Sequence, residues 1–467
     1  MTSIQPYPYQ LEDLERLDRD FDGRALVSWS MGLGKTILAL LYAQRHPELR
    51  PAVIVCPSGL RWQWEREAKI NFDLRAVVLE TTRPPRRKFP SKINLLIVSY
   101  DILGQRKSPN CGPGWLDFLL EMNPQLVILD ECQAICNRAT LRSKSVAQLC
   151  EAAPAVLGLS GTPLTNRPSE LWFPTRVIKP KLFPLFFPYA HRFCKPRRTQ
   201  WGWDLSGSSN LKKLNKILLR TVMLRRRKED VLKDLPPKQR SIVPLDLSSR
   251  KEYDHALHDF IGWLNKTSPA KARRAARAET IVQLAYLKQL TAKLKLPAVF
   301  AWVDDFLAET DEKLILFAIH RKVIARIHER YGDASVVVDG SVTGRKRQQA
   351  VDQFLLTKKT RLFVGNIKAA GTGWSAKGVS VTGVVELPWD PGSLVQACDR
   401  THGIKRGQEG VPSQDYIFLG RGTIDERHWK LLVKKQKILS AALDGGRGED
   451  FDLIGELTKS LLKEAIT

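Results

Sequence analysis

No run of about 18 apolar residues occurs anywhere in this chain, and there is no lipidation signal and no basic amphipathic anchor, so a membrane role is not expected. The opening Met1-Thr2-Ser3-Ile4-Gln5-Pro6 does not read as a signal peptide. Low-complexity tracts and sequence repeats are absent, so any duplication must be architectural. Cysteine is sparse: the seven are odd in number, scattered, and include no pair two residues apart. Such spacing excludes a disulfide framework and points to reduced thiols in an intracellular protein. Cys132 and Cys136 are close, yet no histidine or second cysteine pair accompanies them for a metal site. Acidic residues are also in deficit, 49 against 74 basic, a net charge of +25. That balance is not one of a metabolic enzyme; it suits a polyanionic partner, nucleic acid first.

With 467 residues, 43% of them hydrophobic, the chain can form two or three domains with sizeable cores. Its centre is Trp29-Ser30-Met31-Gly32-Leu33-Gly34-Lys35-Thr36, preceded by the apolar Ala25-Leu26-Val27 and followed by the amphipathic Ile37 to Ala43. Strand, glycine turn and helix in that order make a phosphate loop. Gly32 and Gly34 let backbone N–H groups turn onto a polyphosphate beside Leu33, Lys35 reaches the terminal phosphates, and the Thr36 hydroxyl takes a place on magnesium. The pattern wants a glycine five positions before Gly34, where Trp29 stands. Upstream, Gln10 in Pro6-Tyr7-Pro8-Tyr9-Gln10 carries an amide able to pair with the N6 and N7 edge of adenine. ATP is therefore the expected nucleotide.

Apolar runs at Val53-Ile54-Val55, Leu95 to Val98, Leu126 to Leu129 and Ala155-Val156-Leu157 alternate with helical segments, which implies a parallel sheet covered on both faces. Functional residues belong at the carboxyl ends of such strands. There stand Asp130-Glu131, with Asp130 assigned to magnesium and Glu131 to the attacking water. Ser160-Gly161-Thr162-Pro163 ends the next strand and could sense the nucleotide. Ser58 and Arg61, in Cys56-Pro57-Ser58-Gly59-Leu60-Arg61, could hold a phosphodiester backbone; Trp62 and Trp64 read as packing. From Pro168 to about Thr310 the strand alternation fades into helical, basic sequence. Arg83 to Lys88, Arg225-Arg226-Arg227-Lys228 and Lys271 to Arg277 are its densest charge runs or their upstream match. At least one is expected to contact duplex, although a charge run is usually a solvated face. Leu235-Pro236-Pro237-Lys238 reads as a linker. A second alternation follows, at Leu314 to Phe317, Ser335 to Val338, Arg361 to Val364, Gly383 to Val385 and Tyr416 to Leu419. It has no phosphate loop, but carries the turn Ala370-Gly371-Thr372-Gly373-Trp374 and Gln396 to Gln408, in which Arg400 is the candidate to reach the γ-phosphate from a second domain.

Gln10, Met31 to Thr36, Asp130-Glu131, Ser160 to Pro163, Met223 to Lys228 with Leu235 to Lys238, Asp339-Gly340-Ser341, and Gln396 with Asp399-Arg400 stand in an order and spacing that resemble the Swi/Snf family of DNA-dependent ATPases in helicase superfamily two. Trp201-Gly202-Trp203-Asp204-Leu205-Ser206-Gly207-Ser208-Ser209-Asn210 and Pro388 to Gly392 resemble its annealing-helicase branch, reduced here to the motor core. The resemblance implies an α/β chain of two tandem RecA-like parallel-sheet lobes with inserted helical protrusions: residues 1–235, with a protrusion at about 168–235; 236–440, with an insertion at about 248–310; and a helical tail at 441–467. It implies a composite ATP site in which Gly373 contacts nucleotide and Arg400 and Arg406 are fingers, Lys405 being the rival to Arg406. It also implies nucleic-acid contact by Ser58, Arg61, Arg225, Arg226 and Arg227. Departures are Gln133 for a histidine, Cys136 for a lysine, Ser30 for an acidic residue, and two extra residues between His402 and Gly407. The expected function is ATP-driven tracking on duplex or forked DNA, as a monomer, cytoplasmic in a bacterium or virus and nuclear in a eukaryote. A strand-separating DNA or RNA helicase and a DNA clamp that no longer hydrolyses ATP are the alternatives.

Overall fold

The computed structural model describes residues 4–81, 84, 93–104, 114–199, 202–232, 238–266, 273–342, 344–370, 376, 378–401, 412–444 and 457. The chain divides into two compact units, Met1–Lys233 with Leu439–Asp450, and Asp234–Ile438 with Phe451–Thr467.

The strands of the first unit are β1 (Arg24–Trp29), β2 (Ala52–Cys56), β3 (Ala76–Val78), β4 (Leu95–Ser99), β5 (Leu126–Asp130), β6 (Ala155–Leu159), β7 (Arg197–Thr199), β8 (Gly202–Asp204) and β9 (Met223–Arg226). Seven form one sheet in the order β3-β4-β2-β5-β6-β1-β9, parallel throughout, and β7 and β8 pair antiparallel as a separate ribbon. Every residue of β2, β4, β5 and β6 is buried. Alternation explains why: along β5, Val127 and Leu129 enter one apolar cluster while Leu126 and Ile128 enter another on the opposite face. Helices cover both faces, and Ser169–Ile178, Phe186–Phe193 and Leu211–Thr221 extend the unit after β6.

The second unit contains β10 (Gln239–Leu245), β11 (Leu314–Ala318), β12 (Ser335–Val338), β13 (Leu362–Asn366), β14 (Val381–Val384) and β15 (Gln414–Gly420), in the parallel order β10-β15-β14-β11-β13-β12. Its sheet is layered in the same way, with Ile315 and Phe317 on one side of β11 and Leu314, Leu316 and Ala318 on the other. The long helices Arg250–Lys266 and Arg273–Glu309 precede β11, and Ile424–Asp444 follows β15. Among the described residues no helix is long and apolar enough to cross a membrane. Both units have the RecA-like form, a parallel sheet between helical layers.

The region expected to be helical between Pro168 and Thr310 also contains the ribbon strands β7 and β8 and, in the two sheets, β9 and β10, which corrects that reading. β9 is half basic, and β10 is an edge strand, exposed along most of its length and carrying Pro244. Neither has the continuous apolar signature that marks an interior strand.

Candidate nucleotide site

Three loops leave adjacent strands at their carboxyl ends: the phosphate loop after β1, Asp130-Glu131 at the end of β5, and Ser160-Gly161-Thr162 after β6. Ladder register brings them level, since Asp130 and Val27 both pair with Leu159.

In the phosphate loop Gly32 and Gly34 have φ of +84° and +79°. A Cβ on Gly34 would lie 2.5 Å from Gln10 Nε2, so that position is closed to any side chain on two counts. Gly34 caps the helix Lys35–Arg45, whose first turn carries Lys35 and Thr36 at its positive end. Lys35 Nζ donates to the carbonyls of Trp29 at 2.9 Å and Ser30 at 3.3 Å. Position 29 needs no glycine because it is the last residue of β1, not a loop residue. Trp29 is fully buried, and its Nε1 donates to Asp13 at 3.0 Å. The loop is also fastened from behind: Tyr9 Oη and Gln10 Nε2 both donate to the Leu33 carbonyl, at 2.9 and 3.1 Å, and Gln10 Oε1 accepts from Tyr7 N at 2.9 Å.

The acidic pair is asymmetric. Asp130 is buried, its Oδ2 accepts from Trp64 Nε1 at 2.8 Å, and Tyr100 Oη donates to its backbone carbonyl at 2.8 Å. Burial, and then the charge of Glu131, push the Asp130 carboxyl up to about 7, against the pull of Trp64 and Lys35. A buried oxygen donor whose charge lacks internal compensation, close enough to Lys35 to feel it, fits a hard divalent cation shared with Thr36. Glu131 holds a left-handed backbone, φ 50°, at the end of the strand. A non-glycine residue there stores about 1–3 kcal/mol of strain, a feature concentrated at functional sites.

Gln133 ties the loops together. Its Nε2 donates to Glu131 Oε2 at 2.6 Å, and its Oε1 accepts from Ser160 Oγ at 2.7 Å. Ser160 Oγ in turn accepts from Thr162 N at 3.1 Å. Gly161 presses against the phosphate loop: a Cβ there would meet Met31 Cγ at 2.8 Å and Lys35 Nζ at 3.4 Å. Sequence reasoning noted Gln133 only as a departure and treated Trp64 as packing. Trp64 is indeed buried, but it also orients Asp130. The signal for Gln133 was its chemistry, an amide that donates and accepts at once, two residues from the acid.

The basic residues fare unequally. Arg225 and Arg226, expected to touch nucleic acid, have partners within the first unit. Arg226 makes a bidentate pair with buried Asp13 at 2.7 and 2.8 Å and also reaches Glu12. Arg225 donates to the Ser28 carbonyl and pairs with Asp444. Both side chains are under one-fifth exposed: Arg225 ties β9 to its neighbour β1, and Arg226 ties it to the helix Pro8–Arg19. Arg227 is half exposed and pairs with Asp230 at 2.8 Å. Arg61, half-buried, donates to the carbonyls of Ser58, just beyond β2, and Leu79, just beyond β3. In the second unit, half-buried Arg400 follows the helix Pro391–Cys398. Gly373 and Arg406 lie outside the described residues, as do most of the Arg83 to Lys88 run, Lys271, Ala272 and Leu235 to Pro237.

The chain matches two family models. The SNF2-related domain matches residues 23–295 and the helicase conserved C-terminal domain residues 298–405. A SWI/SNF-related matrix-associated actin-dependent regulator of chromatin subfamily A-like protein 1 from Xenopus tropicalis is 32% identical over 445 residues, 90% of this chain and 43% of its own. A DNA annealing helicase and endonuclease ZRANB3 from Mus musculus is 32% identical over 444 residues, 91% of this chain and 39% of its own. The chain thus spans about two-fifths of the length of these relatives. The solved Sulfolobus solfataricus SWI2/SNF2 ATPase core in complex with dsDNA aligns over 99% of this chain and 97% of its own, at 18% identity and a TM-score of 0.45. With the first family match covering more than half of its residues, and the loops of that match gathered around Lys35 and Asp130, the chain belongs to the SNF2-related family and is a Swi/Snf ATPase of helicase superfamily two.

Proposed function

We propose that this protein is an ATP-driven DNA translocase that hydrolyses ATP on binding duplex or branched DNA and remodels or reanneals it without processive strand separation. The observation that carries the reading is the hydrogen-bonded set Glu131, Gln133 and Ser160 at the ends of strands next to the one that leads into the Lys35 loop. Lys35 and the first helical N–H groups hold the β- and γ-phosphates, and Gln10 reads adenine by exchanging its bond to Tyr7 N. Thr36 and Asp130 would hold magnesium, which when bound would supply positive charge to offset charge building on the phosphate oxygens. Glu131 orients the attacking water, and Gln133 reports the state of that carboxylate to Ser160. Arg400 and Arg406 are the candidate arginine fingers for the γ-phosphate, the loss of which would be coupled to movement on DNA.

DNA is the partner because the net charge is +25 and the related proteins are named for chromatin regulation and DNA annealing. Ser58, Arg61 and Arg227 are its candidate phosphate contacts, and the protein works as a monomer, in the nucleus if its host is a eukaryote. Binding through phosphates falls steeply with salt and depends little on sequence. The test is ATP turnover with and without blunt duplex, with Lys35→Ala as control. Stimulation by duplex that the Lys35 variant lacks is expected. DNA-independent turnover, or equal turnover in the variant, overturns the reading.

A further inference from the structure

The ribbon β7–β8 buries almost nothing, yet it presents a tryptophan. All of β7 is exposed, and Trp203 on β8 is 44% exposed. So small a two-stranded ribbon has no stability of its own to spare for a ring in water. The ring is instead held in place by an aromatic series that begins in the core. Buried Trp172 meets Phe186 at 5.0 Å, Phe186 meets Phe187 at 5.7 Å, and Phe187, itself 45% exposed, meets Trp203 edge-on at 6.0 Å. His191 closes on the other side at 5.7 Å. Charge surrounds these rings. Arg198 stands directly opposite Trp203 in the ribbon register, so both side chains lie on one face of the pleat. Arg138 lies over Phe186 at 4.6 Å. Beside the end of the helix Phe186–Phe193, where Asn210 Nδ2 donates to the Arg192 carbonyl, the helix Leu211–Thr221 begins, with Lys212, Lys213 and Lys216 exposed.

From this juxtaposition we propose that the Trp203–Phe187 platform with Arg198 is a second DNA contact, which stacks an unpaired base of a fork or single-stranded arm while the surrounding cations hold its phosphates. A flat π-face beside an arginine matches a nucleobase and its backbone, and it has no use for a fully paired duplex whose bases are inside the stack. The proposal rests on the reading of the chain as a DNA motor, but it concerns a surface apart from the nucleotide site.

The test is fluorescence anisotropy, without nucleotide, of the full chain on two labelled DNAs: a fork with single-stranded arms and a blunt duplex of equal length. Trp203→Ala should weaken fork binding about 10-fold, the worth of one stacked base, and change blunt-duplex binding by less than about twofold. Trp203→Phe should restore most of the loss. Arg198→Ala should weaken the fork complex and flatten its salt dependence. Unchanged fork binding by Trp203→Ala, or equal loss on both DNAs, overturns the proposal. So does light scattering that finds a wild-type dimer abolished by Trp203→Ala, for then a second copy covers the platform. Fork-selective binding that needs Trp203, in a protein whose ATPase ignores DNA, sinks the motor reading and leaves this contact standing.

Discussion

Each unit buries a carboxylate at the carboxyl edge of its sheet, and the two are wired in opposite ways. Glu386, just beyond β14, accepts from the backbone N–H groups of Ile319 at 2.8 Å and His320 at 2.9 Å, and from the His320 ring. Burial alone would raise its pKa, but the His320 bonds and charge outweigh it and hold the group below the ordinary value. Asp130 has a single side-chain donor, Trp64, and burial with Glu131 beside it prevails. A carboxylate compensated from inside is a structural clasp. One left short of positive charge is suited to a cation from outside the chain, which in the proposed reading is magnesium. The same sheet edge therefore serves architecture in one unit and chemistry in the other.

Exchanging each acid for its amide sharpens that contrast. Asp130→Asn should lower turnover about 10³-fold, as removal of a central electrostatic group does, while stability at pH 8 holds or rises because a poorly compensated buried charge is gone. Glu386→Gln should cost about 2 kcal/mol of stability, since the His320 ring and two amides lose a charged acceptor. Steady-state ATPase and urea unfolding at pH 8 measure both; an Asp130→Asn protein as unstable as Glu386→Gln breaks the comparison.

The second unit also holds a buried ion pair that the first lacks at its site. Lys295, 1% exposed, donates to Asp425 and to the Phe418 carbonyl. Asp425→Ala leaves that ammonium alone and should destabilise the second unit by about 3–5 kcal/mol. Nucleotide binding by Lys35 and its loop, followed by calorimetry below the unfolding transition, should remain. Its loss would mean that the two sheets are not separable in the way their wiring suggests.

pH separates the two acids further. The folded pKa of Asp130 lies above its unfolded value, so its contribution to stability is full below the ordinary carboxylate range and is lost as pH rises through about 7. Glu386 runs the other way: its contribution is present above the ordinary glutamate value and lost as pH falls through the depressed one. Because a cation must displace the Asp130 proton, affinity for magnesium–ADP should climb towards pH 7, by up to about 10-fold per unit, and level off above it. Titration calorimetry from pH 5.5 to 8.5 should give that curve for the wild type and a flat one for Asp130→Asn.

Much of this was legible in the sequence, for reasons that differ by residue. Interior strands such as β5 announce themselves because both faces are buried, and the phosphate loop does so because only glycine allows its backbone. Asp13 could not be read. It is a buried charge on an amphipathic helix, and its partners Trp29 and Arg226 stand 16 and 213 residues away. The internal partners of Arg225 and Arg226 were hidden for the same reason: Ser28, Asp444 and Asp13 are all distant in sequence. β10 was hidden by being an edge, where half of the apolar signal is replaced by water.

The smallest effect tests how the chemistry of the first unit leaves its site. Gln133 joins Glu131 to Ser160 through one donor and one acceptor. Gln133→Ala removes both bonds and should lower turnover about 10-fold, the worth of two side-chain hydrogen bonds at about 0.7 kcal/mol each, with the KM for ATP nearly unchanged. Gln133→His should keep most activity, since a neutral imidazole also donates from one nitrogen and accepts at the other; that is how a position usually held by histidine can carry glutamine. Gln133→Glu should be worse than alanine, because it sets a second carboxylate against Glu131. The decisive comparison is the cycle with Ser160→Ala. If the amide is a link, the double alanine variant loses no more DNA-stimulated turnover than either single one. If the losses multiply, Gln133 only steadies Glu131, and the coupling leaves the site by another route.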